Sequence, residues 1–391
     1  MNPLLEAEQA VLGAVLLDPG QLSHLEWLAP DHFYRPVHQA LFAALRKLRG
    51  DGHPAAEGEG PVPLSWVTDA VDEAGLHIRG LTASYAHLLV SACPRPAHAP
   101  VYGRMVLEGA IHRTVTQHAI RLHQEARTGA LRGEVEGALH YADVLTGVLT
   151  DLARRWGTQP RPVAPATSQA PDPPALPPAQ ADRVAEDEEF LLAVLVERPG
   201  AMGEVVEWLR PGDFADPVHG QLYRCLGALH HRGEPIDRIT LLWEAQRRGL
   251  LADSTLSEDR FAAICDGVGA GDAEWLGKQV MRSSLTRTAA TSARAVRALA
   301  EDDVLAPGRL INHALHALGP LDEIRARWQT ANGRPASRAP TTTATSPSGP
   351  PAARVHAALT RSTPRPAPPP PDQLGPRPTP TAARPPSRNR S

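Results

Sequence analysis

The sequence predicts an all-α protein made of two copies of one small helical cluster, each followed by a helical hairpin. Three observations carry this. Apolar residues recur at helical spacing along the folded stretches, β-branched alternation and hairpin dipeptides are nearly absent, and one half of the chain repeats the other.

The repeat is the strongest of the three. From Glu26 to Pro54 and from Glu207 to Pro235, at a constant offset, 13 of 29 positions are identical. They include Trp27 and Trp208, Phe33 and Phe214, Pro36-Val37-His38 and Pro217-Val218-His219, and three matching leucines in each copy. The match extends backwards through Glu8, Val11, Leu12, Val15 and Leu16 to Glu188, Leu191, Leu192, Leu195 and Val196. It extends forwards from the stretch ending at Trp156 to the one ending at Trp328.

The elements follow in order. Val11, Leu12, Val15 and Leu16 draw one stripe on a first helix, which Pro19-Gly20 stops. Pro36 sits in the first turn of the next helix, where its missing N–H costs nothing, and Val37, Leu41, Leu45 and Leu48 give that helix its core face. Further helices are expected over 64–74 and 82–92. Beyond the breakers Pro94, Pro96 and Pro100, long segments over 101–126 and 135–156 are expected to return on each other as an αα-hairpin.

Proline sets the boundaries. Of the 40 prolines, 24 fall in two short stretches, 158–183 and 329–391, whose remaining apolar residues are mostly alanine. The expected organisation is therefore copy 1 over 1–157, a Pro/Ala-rich linker over 158–183, a more divergent copy 2 over 184–328, and a disordered Pro/Thr/Arg-rich basic tail over 329–391. The linker reads as a semi-extended spacer holding the copies apart or letting them turn. From Gln329 onward there are nine arginines and one acid, so the first 328 residues are net acidic although the whole chain stands at -3. Tail residues Arg354, Arg361, Arg365, Arg377, Arg384, Arg388 and Arg390 are candidates for weak, sequence-independent phosphate contact.

Several function classes are excluded. No run approaches the roughly 18 to 20 apolar residues that span a bilayer, and the acids Glu6 and Glu8 with no basic leader argue against a secretory signal. Three cysteines without a CxxC pair argue against a disulfide or zinc scaffold and for a reducing cytoplasm, with nucleoid association open. No GxxxxGK[ST] is present to cradle phosphates, and the nearest sequence, GVGAGDAEWLGKQV, has Gln279 after Lys278 and no strand before it. No histidine pair has ligand spacing with carboxylate support. Hence no catalytic, cofactor or metal residues are assigned. Trp27, Phe33, His38, Trp208, Phe214 and His219 read as structural: core aromatics, and histidines in the first turn of a helix bonded to the preceding loop.

The order EAEQAVLGAVLLDP, DHFYRPVHQALFAAL, PVPLSWVTDAV, SYAHLL and VYGRMVLEGAIHR resembles the N-terminal domain of DnaB-type replicative DNA helicases. Glu6-Ala7-Glu8-Gln9, Val11-Leu12-Gly13, Phe33-Tyr34, His38 and Arg113 stand where that pattern has them. The second copy keeps Glu188, Phe214, His219, Pro235-Ile236-Asp237 and Arg287 but has Ala215 for the second aromatic.

In that family the domain is a collar, an all-α cluster and hairpin that pairs to build a ring and on which primase docks, separate from the ATPase motor. The resemblance thus implies a non-catalytic interaction protein of DNA replication that engages a replicative helicase, a primase or itself. Two copies on one chain could pair in cis, so that one chain imitates a collar dimer and three the ring. Candidate interface residues lie on the hairpins: Arg113 and Arg287 from the alignment, Gln117, Arg121 and Arg294 from helical spacing. Two other readings stand beside it, a DNA-binding protein that uses the tail and multimerises through its helices, and a degenerate helicase relative whose motor is supplied in trans.

Overall fold

The computed structural model describes residues 2–57, 62–165, 178–251, 256–267 and 271–333. Among them every regular element is helical. Copy 1 runs α1 (Pro3–Leu17), α2 (Pro36–Gly50), the single turn α3 (Pro54–Glu57), α4 (Leu64–Gly75) and α5 (Ala83–Ala92), then the hairpin α6 (Ala99–Arg132) and α7 (Glu136–Trp156). Copy 2 repeats this as α8 (Pro178–Glu197), the short α9 (Met202–Val205), α10 (Pro217–Arg232), α11 (Arg238–Arg247) and α12 (Glu258–Cys265), with hairpin α13 (Ala273–Ala300) and α14 (Pro307–Ala331).

Local chemistry places the helix ends. The Asn2 side chain accepts from the Leu5 N–H, and Asp18 caps the 3-10 turn that follows α1 by accepting from Gly20 N–H. Pro36 and Pro217 occupy the first turns of α2 and α10, as the sequence predicts. Helix α6 runs 34 residues, longer than its apolar spacing marked, and ends where Gly133 takes the left-handed conformation at φ 72°. Asp272 caps α13 by accepting from the Glu274 and Trp275 N–H groups.

Two cores result. The second holds α8 to α12 around Leu192, Leu195, Phe214, Leu222 and Leu241, with the first turns of α13 and Ala331 at the end of α14. The first holds the copy 1 cluster around Leu12, Phe33, Phe42 and Trp66. It continues without a break through both hairpins, taking in Leu122, Leu145 and Leu149 of copy 1 with Leu285, Ala293, Leu310 and Leu321 of copy 2.

That continuity corrects the expectation of a spacer holding the copies apart. The start of the linker is bonded to copy 2 at two residues: Arg161 and Val163 N–H groups donate to the Asn312 side chain and carbonyl, and the His313 ring meets the Val163 carbonyl at 2.8 Å. The outer boundaries also move, because α8 begins at Pro178 rather than 184 and α14 runs to Ala331 rather than 328.

Candidate interaction site at the paired hairpins

The long helices α6 and α13 begin at equivalent alanines, Ala99 and Ala273, and pack on each other antiparallel. Both helices bury small residues along their length: Ala119 and Ala126 on α6, Ala289, Ala290 and Ala293 on α13. Small side chains let two helix axes approach closely over a long contact. Gly129 near the end of α6 lies by Thr286 of α13, and His112 on α6 lies by the end of α13.

Polar bonds fix this pairing at both ends. The His112 ring faces two carbonyls of the second hairpin's turn, Nδ1 at 2.9 Å from Ala300 O and Nε2 at 3.0 Å from Leu305 O. At the other end, Arg325 of α14 donates to Asp143 of α7 at 2.5 Å and to the Leu139 carbonyl at 3.1 Å.

A second set of bonds joins each hairpin to its own cluster, and it is duplicated. Arg113 Nη2 donates to the His32 carbonyl at 2.7 Å, and Arg287 Nη2 to the equivalent Asp213 carbonyl at 2.6 Å. The return helices add a matching arginine: Arg155 approaches the His32 ring at 3.4 Å, and Arg327 forms a two-pronged pair with the Asp213 carboxylate, 2.8 Å on one arm. Burial lowers the His32 pKa; nearby Asp31 opposes this, while Arg155 and Arg113 add to it.

Within each cluster a buried carboxyl organises the loop before the second helix. Glu8 accepts from the Tyr34 N–H and meets His38 Nδ1 at 2.7 Å. Glu188 accepts from Ala215 N–H at 2.5 Å and meets His219 Nδ1 at 2.9 Å. The outer ring nitrogen differs between copies: His38 Nε2 faces the Tyr85 hydroxyl at 2.7 Å, whereas His219 Nε2 faces Arg260 at 2.9 Å. The histidines are therefore bonded to the first helix, and it is the glutamate that holds the preceding loop.

The structure places the other sequence candidates as follows. Phe33 and Phe214 are core aromatics, packed on Phe42 and Tyr223. Trp208 is 6% exposed, but Trp27 is 46% exposed, which corrects its reading as a core anchor. Its Nε1–H is held by the His24 carbonyl, and its ring edge rests over Gly103 of α6 without being enclosed. Arg113 and Arg287 are also corrected: each spends its guanidinium on its own copy rather than presenting it outward. Gln117 and Arg121 are exposed on α6, and Arg294 is half-buried on α13. The tail arginines, Arg354, Arg361, Arg365, Arg377, Arg384, Arg388 and Arg390, lie outside the described residues.

Two cavities sit at equivalent junctions where one hairpin's turn meets the other copy. One, about 340 Å³, lies between the turn at Gly129–Glu134 and the starts of α8 and α13, lined by Arg183, Asp187, Arg282 and Thr286. The other, about 700 Å³, lies between Ala300 and Asp303 and the starts of α1 and α6, lined by Leu4, Met105, His112 and Gln117. Among the described residues no group of three or more His, Cys, Asp or Glu could hold a metal, and no helix is long and apolar enough to cross a membrane.

Sequence reasoning missed His112, Arg325 and Asp143, which no spacing singles out. Glu8 and Glu188 left a signal, since both copies keep a glutamate and a histidine at almost the same separation.

Comparison with known proteins matches the family described as the DnaB-like helicase N terminal domain twice, over residues 1–108 and 180–265. These stretches cover the two clusters and stop near the start of each hairpin. The replicative DNA helicase DnaB of Mycobacterium leprae is 36% identical over 132 residues, 34% of this chain and 21% of that protein. DnaB of Geobacillus stearothermophilus is 37% identical over 142 residues, 36% of this chain and 29% of that one. The replicative DNA helicase DnaC of Bacillus subtilis is 34% identical over 155 residues, 39% and 32% of the two chains. The chain thus spans under a third of the length of these relatives.

Proposed function

We propose, from the premise that this chain carries the DnaB-like helicase N-terminal domain twice and so belongs with that family, that it is a non-catalytic interaction protein of DNA replication acting as a preformed collar dimer. It would work in the cytoplasm on a replicative helicase, a primase or both. The observation that supports this most is the antiparallel packing of α6 on α13 over a core shared by both copies. Two such domains on separate chains must find each other by collision. Here the partner hairpin is tethered, at high effective concentration, and already seated.

The reading assigns the chain a role in assembly, with any unwinding done by a motor domain on another protein. The test is size-exclusion chromatography with light scattering on this chain, alone and mixed with the replicative helicase and the primase of the same organism. A defined complex with either partner is the expected result, and competition between primase and this chain for the helicase would distinguish mimicry of the collar from occlusion of it. Separate elution from both partners, with retention on DNA lost when 334–391 is deleted, would replace this reading by the tail-dependent DNA-binding one.

A further inference from the structure

Helix α11 of copy 2 presents Ile239, Leu242 and Trp243, followed by Gln246, along one outward face at i, i+3, i+4 and i+7. Their exposures are 79%, 38% and 63% for the three apolar residues, while the opposite face buries Leu241, Glu244 and Ala245. A contiguous apolar stripe open to water is uncommon on a soluble surface and marks a contact site.

The duplication supplies an internal control. Helix α4 starts at Leu64 as α11 starts at Arg238, so the same face of copy 1 carries Ser65, Thr68, Asp69 and Asp72, all exposed and all polar. The fold therefore does not need apolar residues on this face. In copy 2 they serve something outside the domain.

The charges around the stripe say what. At its C-terminal end the buried Glu244 is met by Arg248 at 2.7 Å, Arg232 at 2.9 Å and Arg247 at 3.8 Å. Three guanidiniums on one carboxylate, with Arg232 also held by Glu234, leave an excess of positive charge there. At the N-terminal end Arg238 is answered by Asp266 at 3.1 Å, and Asp237 caps the helix. The face is apolar along its length and positive at one end. A second copy of α11 laid antiparallel on it would set Arg247 and Arg248 near Asp237 and Asp266, which the helix cap and Arg238 already engage, so a dimer is the competing outcome that the test separates.

We propose that this face of α11 docks an amphipathic helix of a partner protein, apolar along one side and acidic at one end. Ile239 and Trp243 act as the buried anchors and the arginine cluster sets the direction in which the helix lies. The proposal rests on copy 2 alone and stands or falls separately from the collar reading.

The test uses the full chain and two fluorescein-labelled amphipathic peptides with the same leucine stripe, one ending in glutamates and the other in lysines, followed by fluorescence anisotropy. The acidic peptide is expected to bind about tenfold or more tighter than the basic one, and Trp243→Asp to weaken it by about tenfold or more, since truncated anchors carry most of such contacts. Thr68→Ala, on the equivalent face of copy 1, should leave binding unchanged, and circular dichroism should show Trp243→Asp still helical. Equal binding of both peptides, or no loss in Trp243→Asp, would overturn the proposal. So would a dimer of the wild-type chain that Trp243→Asp converts to a monomer, which would assign the face to self-association.

Discussion

His38 and Glu8 meet at 2.7 Å through Nδ1 and Oε2, and neither side chain exposes any surface. The second copy keeps the same closed pair in His219 and Glu188, and in both the carboxyl also receives backbone N–H groups of the loop that leads into the next helix. Removing the glutamate leaves a buried ring and the Tyr34 N–H without their acceptor. Glu8→Ala is expected to cost about 3–5 kcal/mol, the range for breaking one side of a buried pair. Urea unfolding followed by circular dichroism would measure it, and a loss below about 1 kcal/mol would show that the loop is held by its packing alone.

His32 and Asp213 occupy the same position in the two copies with unequal success. The His32 Nδ1 accepts from Ala29 N–H at 3.0 Å, which leaves a neutral ring's proton on Nε2, facing the Arg155 guanidinium. Asp213 offers two acceptor oxygens to the equivalent arginine and to the Arg210 N–H. His32→Asp should therefore stabilise copy 1 by about 1–2 kcal/mol at neutral pH, as a charge-assisted bond replaces a poor one.

The same substitution should change the acid response. Burial holds the folded His32 pKa below its usual value, so the unfolded chain binds more protons as pH falls below about 6.5. Stability contributed by the neutral ring is present above that pH and is lost on acidification towards the folded pKa. The advantage of His32→Asp should thus widen between pH 7.5 and 5 in parallel urea titrations, and a constant advantage would refute the account.

His112 ties copy 1 to the turn of the second hairpin through two carbonyls. His112→Ala leaves those acceptors to find water and should cost about 1–3 kcal/mol. Hydrogen exchange gives the sharper reading. Amides at Glu301 and Leu305, bonded to Arg297 and Asp302 within that turn, should exchange faster, while those of α10 in the second core should not change.

A shared core makes the link between the copies dispensable once they have folded. With a specific protease site placed within 166–177, cleavage of the folded protein should leave two fragments that elute together and separate only in denaturant. Burial of Leu285, Leu310 and Leu321 in the same cluster as Leu145 and Leu149 holds them, each such side chain contributing about 1.5–3 kcal/mol. Fragments that part in native buffer would show that the pairing depends on the tether.

The sequence by itself determined the duplication, the helical elements and part of each core, such as Leu12 and Leu41 in the first and Leu192 and Leu195 in the second. These are written locally: the stripe of Val11, Leu12, Val15 and Leu16 dictates a buried helix face, Pro19-Gly20 and Pro36 mark helix ends, and the repeated Glu and His show that one scaffold is used twice. Only the tertiary structure decided that the two hairpins lie antiparallel on one another, that Trp27 stays half outside while Trp208 goes in, and that Arg113 and Arg287 bond inward. The alanines of α6 and α13 are compatible with any close neighbour, so their spacing cannot name one. The choice rests on contacts between residues some 180 positions apart, such as His112 with Ala300 and Arg325 with Asp143, which no local period records.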